Sequence, residues 1–194
     1  MFVLIMTYIW KLRVTYPGFW LFLFALIIVS HVARGERAST LGFRATNFRS
    51  CIRQFGAPVI ALILAMWGVG ILAGSLRPQG FMQAALSLVW YLPWALFQQY
   101  LLNGYFLRRF EADLSRKAAG ILACALFCAA HAPNWFLMIA TLAGAFAAIG
   151  VYRRCHNLWF LGLAHATIGF TLFMVVPDSV SRHLRVGPGW FTYR

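Results

Sequence analysis

The sequence predicts an all-α, polytopic transmembrane helix bundle of about six spans. Three observations carry the prediction. Of the 194 residues, 62% are hydrophobic and only 11% charged, with a mean hydropathy of +0.74. No water-soluble domain of this length needs so much apolar surface. The apolar residues fall in runs of about span length, separated by short polar stretches. The charges concentrate in those stretches, 17 Lys and Arg against the four acids Glu36, Glu111, Asp113 and Asp178, for a formal charge of +13. Six spans of ~20 residues with short connections account for the chain, so residues 1–194 read as a single transmembrane domain.

Residues 1–10 are apolar but lack a basic leader and a small-residue cleavage site, and they are too short to span alone. They read as a partial or interfacial segment. The first span runs over residues 17–32, rich in Phe, Leu and Ile. Residues 33–54 follow as a loop with five arginines and one acid. The second span covers 57–76, and its Gly68, Gly70 and Gly74 would let another helix approach closely. After the turn Arg77-Pro78-Gln79-Gly80, the third span covers 81–107, with a kink expected at Pro93. The fourth covers 118–131, the fifth 135–152 and the sixth 158–176. Residues 177–194 read as a short polar tail.

The loops 33–54, 108–117 and 153–157 hold 11 of the 17 basic residues, which places them on the cytoplasmic side. Lys11, Arg13, Arg77, Arg182, Arg185 and Arg194 fall on the other side. Basic loops between spans contact anionic lipid and set topology; with no soluble basic face, nucleic-acid binding is excluded. Cys51 and Cys155 sit at loop edges on the basic side, where reduced thiols are the default. No internal repeat supports an inverted-repeat transporter.

Within the apolar runs, two adjacent amides, Gln98 and Gln99, lie in the third span. Side-chain amides in hydrocarbon are costly unless paired. At 1.5 Å per residue the pair lies ~12–15 Å from the basic end of its span. His165 lies ~10–12 Å from that end on the sixth span, and His131 ~20 Å on the fourth, a difference that helix tilt can absorb. Polar groups on three helices at mid-membrane can be interhelical glue, or can line a hydrophilic pocket. Cys124, Cys128 and His131 share one helix face at i, i+4 and i+7. With His165 they could form a Cys₂His₂ zinc site; otherwise the cysteines are small packing residues of an Ala-rich helix. His31, His156 and His183 receive no role.

The ordered set resembles a known family, the CPBP intramembrane proteases, which comprise the CAAX prenyl proteases and bacteriocin-processing enzymes and are also called Abi. Members carry Glu-Glu-x-x-x-Arg, then Phe-x-x-x-His on the next helix, then His-x-x-x-Asn on a later one. Here Gln98-Gln99-Tyr100-Leu101-Leu102-Asn103-Gly104-Tyr105 takes the first place, followed by Leu107-Arg108-Arg109-Phe110. Phe127-Cys128-Ala129-Ala130-His131 takes the second, and His165-Ala166-Thr167-Ile168-Gly169 the third. The resemblance covers residues 81–176. It implies a transmembrane helical core, a lipidated or membrane-inserted peptide substrate, and a site built from Gln98, Gln99, His131 and His165. Asn103, Phe127 and Gly169 stand at substrate-binding positions. No cofactor is implied by these residues, and zinc enters only through the cysteine-histidine set.

The departures are concentrated at the chemistry. Both glutamates are glutamine, the arginine is Asn103, and the last asparagine is Gly169. In the family a glutamate is thought to activate water, with histidine and asparagine stabilising the oxyanion. A carboxylate can take that proton; a carboxamide has no basic site near pH 7. The three changes are mutually consistent, because an arginine without its acids would be a costly unpaired charge. Two readings follow. One is an endopeptidase using His131 or His165 as base. The other is a non-catalytic membrane protein whose pocket binds a lipidated peptide, a lipid or a partner membrane protein, as a pseudoprotease or a bacteriocin-immunity protein. Small size and short loops point to a bacterial inner membrane.

Overall fold

Backbone polar groups in a medium without water must be satisfied within the chain, and helices do this locally. The computed structural model, which describes residues 1–192, accordingly has helices joined by short turns and no strand among the described residues. Arg194, counted above among the basic residues, lies outside the described residues. The N-terminal α1 (Phe2–Thr7) continues through a π-helical turn, Tyr8–Leu12. Then come α2 (Phe19–Ala33), α3 (Phe48–Leu72), α4 (Phe81–Gln99), a π-helical stretch Tyr100–Leu107, α5 (Arg108–Asp113), α6 (Arg116–Ala129), α7 (Trp135–Cys155) and α8 (Leu158–Val175).

Side chains set several of these boundaries. Ser115 caps α6 by accepting from the Ala118 amide, Asn134 caps α7 from Leu137, and Asn157 caps α8 from Phe160. Three helices, α3, α7 and α8, are long and apolar enough to cross a membrane, and α2 is a shorter apolar helix. Along α3 only Cys51 and Gly70 are buried, so an apolar surface runs almost all round it. A helix of that kind faces lipid rather than water. The protein is an all-α integral membrane protein.

Several expectations change. Residues 33–54 are not wholly a loop: α3 begins at Phe48, so Arg49 and Arg53 stand on its first turns. The helix α4 runs on through Pro93, and the irregular winding falls later, at Tyr100–Leu107. Of the three glycines on the second span only Gly70 admits a neighbour; a Cβ there would come within 2.8 Å of Leu76 and Val175, whereas Gly68 and Gly74 face open space. The tail is not a free polar end. Asn134 Nδ2 donates to the carbonyls of Ser181 and Arg185 at 2.8 and 3.0 Å. Arg77 pairs with Asp178 at 2.6 Å and donates to the carbonyls of Phe173 and Val176.

The cysteine expectation is overturned. Cys51 and Cys155 are joined in a disulfide, while Cys124 and Cys128 are free. The reduced reading rested on compartment alone; packing decides the pairing. Asn47 Nδ2 donates to the Cys155 carbonyl and Asn157 Nδ2 donates to Asn47 Oδ1, both at 2.6 Å. These bonds hold the start of α3 against the end of α7, with the two Cα atoms 5.8 Å apart, inside the range a disulfide requires.

The helix α4 packs chiefly on α8, α6 on α7, and α3 on α8. The largest buried cluster gathers Tyr100, Leu102, Leu107, Cys124, Ile149 and Leu158, so the π-helical stretch lies at its centre. At the basic end Glu36 anchors the structure. Its carboxylate pairs with Arg108 at 2.9 Å, Arg109 at 2.7 Å and His31 at 2.7 Å. Burial alone would raise the Glu36 pKa; hydrogen bonds from His31, Arg108 and Arg109, with the Arg109 charge, outweigh it and hold the group at about 2.

Candidate functional site

The site forms where α4 and α8 lie in tight contact. A Cβ at Gly162 would meet Leu96 Cδ1 at 2.8 Å and Leu96 Cα at 3.0 Å, so only glycine permits this spacing. Close approach of the backbones brings His165, three residues on, level with Gln99. Gln99 is buried at the end of α4, and Asn103, one turn on in the π-helical stretch, is wholly buried. Departures from α-helical winding of this kind recur at functional sites.

Four side chains form one hydrogen-bonded chain. Asn103 Nδ2 donates to Gln99 Oε1 at 2.9 Å. Gln99 Nε2 lies 2.9 Å from His165 Nδ1, and an amide nitrogen can only donate, so His165 accepts there. His165 therefore carries its proton on Nε2, which lies 3.3 Å from the Tyr91 hydroxyl. The lone pair that would make His165 a base is engaged by Gln99. The Asn103 Oδ1 end of the chain is buried without a partner.

The other predicted residues lie around this chain in different ways. Phe127 packs edge-on to both histidines, with ring centroids 5.0 Å from His131 and 6.4 Å from His165. His131, in the turn after α6, points Nδ1 at the Phe127 carbonyl 2.7 Å away, so that nitrogen donates and Nε2 is its basic atom. His131 makes no hydrogen bond to the chain. Gln98 does not join it either: its Oε1 is buried and unpartnered. The two glutamines are thus inequivalent, one linked at both ends of its amide and the other holding an open acceptor.

Gly169 explains a residue that the sequence reading missed. A Cβ at Gly169 would lie 2.8 Å from the Tyr91 hydroxyl oxygen and 2.9 Å from its ring. Tyr91 thus takes the space that a side chain at 169 would fill, and its hydroxyl reaches His165 from there. The signal was the glycine itself, small where the motif expects asparagine. Replacing Gly169 by Asn is expected to cost about 1–3 kcal/mol by overpacking. Combined with Tyr91→Ala, it should be no less stable than Tyr91→Ala alone; thermal unfolding of the two single variants and the double variant measures this.

The zinc set does not form. Cys124 is packed in the core, and among the described residues no group of three or more His, Cys, Asp or Glu converges as metal ligands. These donors do not fit a metal. What the site can do chemically is accept and donate hydrogen bonds: a neutral amide-imidazole-phenol chain with open acceptors at Gln98 and Asn103.

No curated protein and no solved structure matched the chain. Residues 80–171 match the family described as type II CAAX prenyl endopeptidase Rce1-like. That interval, just under half of the chain, contains Tyr91, Gln98, Gln99, Asn103, Phe127, His131, His165 and Gly169 in one segment, and over it the chain is similar to the Rce1-like CAAX prenyl endopeptidases.

Proposed function

We propose that this chain is a member of the CAAX-type intramembrane protease family that binds a prenylated or membrane-inserted peptide in its polar pocket without cleaving it. One observation carries the reading. The Asn103-Gln99-His165-Tyr91 chain engages the basic nitrogen of His165 and contains no carboxylate. A positioned general base contributes roughly 10²- to 10⁴-fold to such a hydrolysis, and neither glutamine can act as one. Gln98 Oε1, buried and unpartnered, receives a peptide N–H of the ligand. The competing reading, hydrolysis with His131 Nε2 as the base, rests on that nitrogen being otherwise unbonded.

Within this proposal residues 1–194 form one transmembrane domain and 81–176 its working core, in a multi-pass protein of a bacterial inner membrane. Small size and short loops support the location.

The two glutamines provide the test, because their variants move stability in opposite directions. Gln98→Met removes an unsatisfied buried acceptor; it should raise unfolding stability by about 1 kcal/mol while weakening peptide binding about tenfold. Gln99→Met orphans His165 and Asn103 and should lower stability by about 1–3 kcal/mol. A farnesylated C-terminal tetrapeptide, titrated into detergent-purified protein and followed by fluorescence, reads the binding. Absence of binding, or cleavage by the native chain that is lost in both His131→Ala and His165→Ala, overturns the proposal.

A further inference from the structure

The basic end of the bundle holds a second site that the peptide pocket does not involve. A cavity of about 400 Å³ is lined by Arg108, Glu111, Arg116, Tyr152, Arg153 and His156. Three of these are permanent cations and one is an acid. Arg108 is committed to Glu36 at 2.9 Å and Arg153 to Glu111 at 2.7 Å. The hydroxyl of Tyr152 and the ring of His156 are bonded to the carbonyls of Leu41 and Thr40, so they shape the wall rather than offer donors. Among the described residues Arg116 has no acid partner, and it is exposed on the first turn of α6. The lining therefore holds uncompensated positive charge at the end of the molecule where the basic loops meet.

The neighbouring surface says what kind of anion fits. Arg153 also borders a second cavity of about 370 Å³, between α6 and α7, whose other lining includes Lys117, Gly120, Ile121, Phe146, Ile149 and Gly150. Its walls are apolar, and Ile121 and Phe146 are half exposed on the outside of the bundle. Gly150 meets nothing within 4 Å, which leaves a furrow open along α7. Gly120 gives Arg153 room: a Cβ there would come within 3.2 Å of the guanidinium. A cationic cavity that shares an arginine with an apolar furrow matches one molecule with a phosphate and an alkyl chain attached. Basic recesses between transmembrane helices have the chemistry for anionic headgroups.

We propose that this is a binding site for one anionic phospholipid, with its phosphate in the arginine cavity beside Arg116 and Arg153 and an acyl chain along the Gly120–Gly150 furrow. An inorganic phosphate satisfies only the first half of the site, so lipid rather than free phosphate is the ligand.

Native mass spectrometry of the full chain in detergent tests this, with phosphatidylglycerol or phosphatidylcholine added in equal amounts. The expected result is one phosphatidylglycerol retained per chain, at least tenfold in preference to phosphatidylcholine. Arg116→Gln should cut that retention at least fivefold, and Gly150→Leu, which fills the furrow, should cut it with the arginines intact. Lys11→Gln, at the opposite end, should leave it unchanged. Size-exclusion elution as native confirms that each variant is folded, and Gly150→Leu carries the test if Arg116→Gln is not. Equal retention of the two lipids, or no loss in a folded Arg116→Gln or Gly150→Leu variant, overturns the proposal. Displacement of phosphatidylglycerol by 10-fold excess inorganic phosphate also overturns it, because the alkyl chain would then contribute nothing.

Discussion

Installing the three charges of the CAAX-type motif, Gln98→Glu with Gln99→Glu and Asn103→Arg, is expected to raise cleavage of a prenylated C-terminal peptide above that of the native chain. The gain should be at least 10²-fold over the native protein, the lower end of what a positioned general base contributes. A carboxylate at 99 would face His165 Nδ1, now 2.9 Å from an amide nitrogen, and would reverse the bond so that the imidazole donates instead of accepts. That frees His165 Nε2 as a proton acceptor and supplies the missing anion in one change. Arg at 103, one turn from 99, compensates the charge, as Asn103 now satisfies the amide at 2.9 Å. The double glutamate without the arginine should be less stable than the triple variant, because two buried like charges oppose one another. Release of the C-terminal tripeptide, followed by liquid chromatography, measures the outcome. Adding His165→Ala should abolish the acquired activity. A triple variant that folds and still cleaves nothing would show that more than the charges has been lost.

Removing Glu36 is expected to produce the largest loss of stability in the molecule. Its side chain is 14% exposed and that of Arg109 13%, so the pair is largely shielded from water. Truncation of one partner in a buried ion pair typically costs about 3–5 kcal/mol, because the other charge is left stranded. Here two guanidiniums would be left facing each other. For a chain of this size, Glu36→Ala should lower the thermal midpoint in detergent by on the order of 10 °C. Acid should reproduce the effect in the native protein. The carboxyl pKa is depressed from 4.5 to about 2 in the folded state. Its contribution is therefore fully present above about pH 4.5 and is lost as the pH falls toward 2. Unfolding midpoints measured across that window should fall for the native chain and stay flatter for Glu36→Gln. Equal slopes would remove Glu36 from the account of acid sensitivity.

The site was legible in the sequence where chemistry was unusual for its surroundings. Two amides in an apolar run demand partners, and depth arithmetic placed His165 level with them. Tyr91 was not legible, because a tyrosine in an aromatic-rich span carries no signal until Gly169 is seen to make room for it. The sequence treated Gln98 and Gln99 alike; which one is paired depends on helix phase, and the π-helical winding after Gln99 is invisible to a 3.6-residue pattern. Charge counting grouped the basic loops but hid the Glu36 pairings, since Arg108 lies 72 positions from its partner. Compartment logic misjudged Cys51 and Cys155, whose proximity is a tertiary fact 104 residues apart. The α3 boundary was missed because arginines on a first helical turn resemble loop charges.

The Cys51–Cys155 bond also imposes a parity rule on the path through the bilayer. Two residues joined covalently lie at one depth, so a chain that crosses a membrane between them crosses it an even number of times. Of the helices in that interval, α3 and α7 are long and apolar enough to traverse. With α5 too short to span at 6 residues, α4 with its π-helical extension and α6 must then both traverse or both fail to. The coupling of α4 to α6 holds whichever surface carries the arginines, so this constraint on threading comes from a sulfur bond and a count rather than from charge.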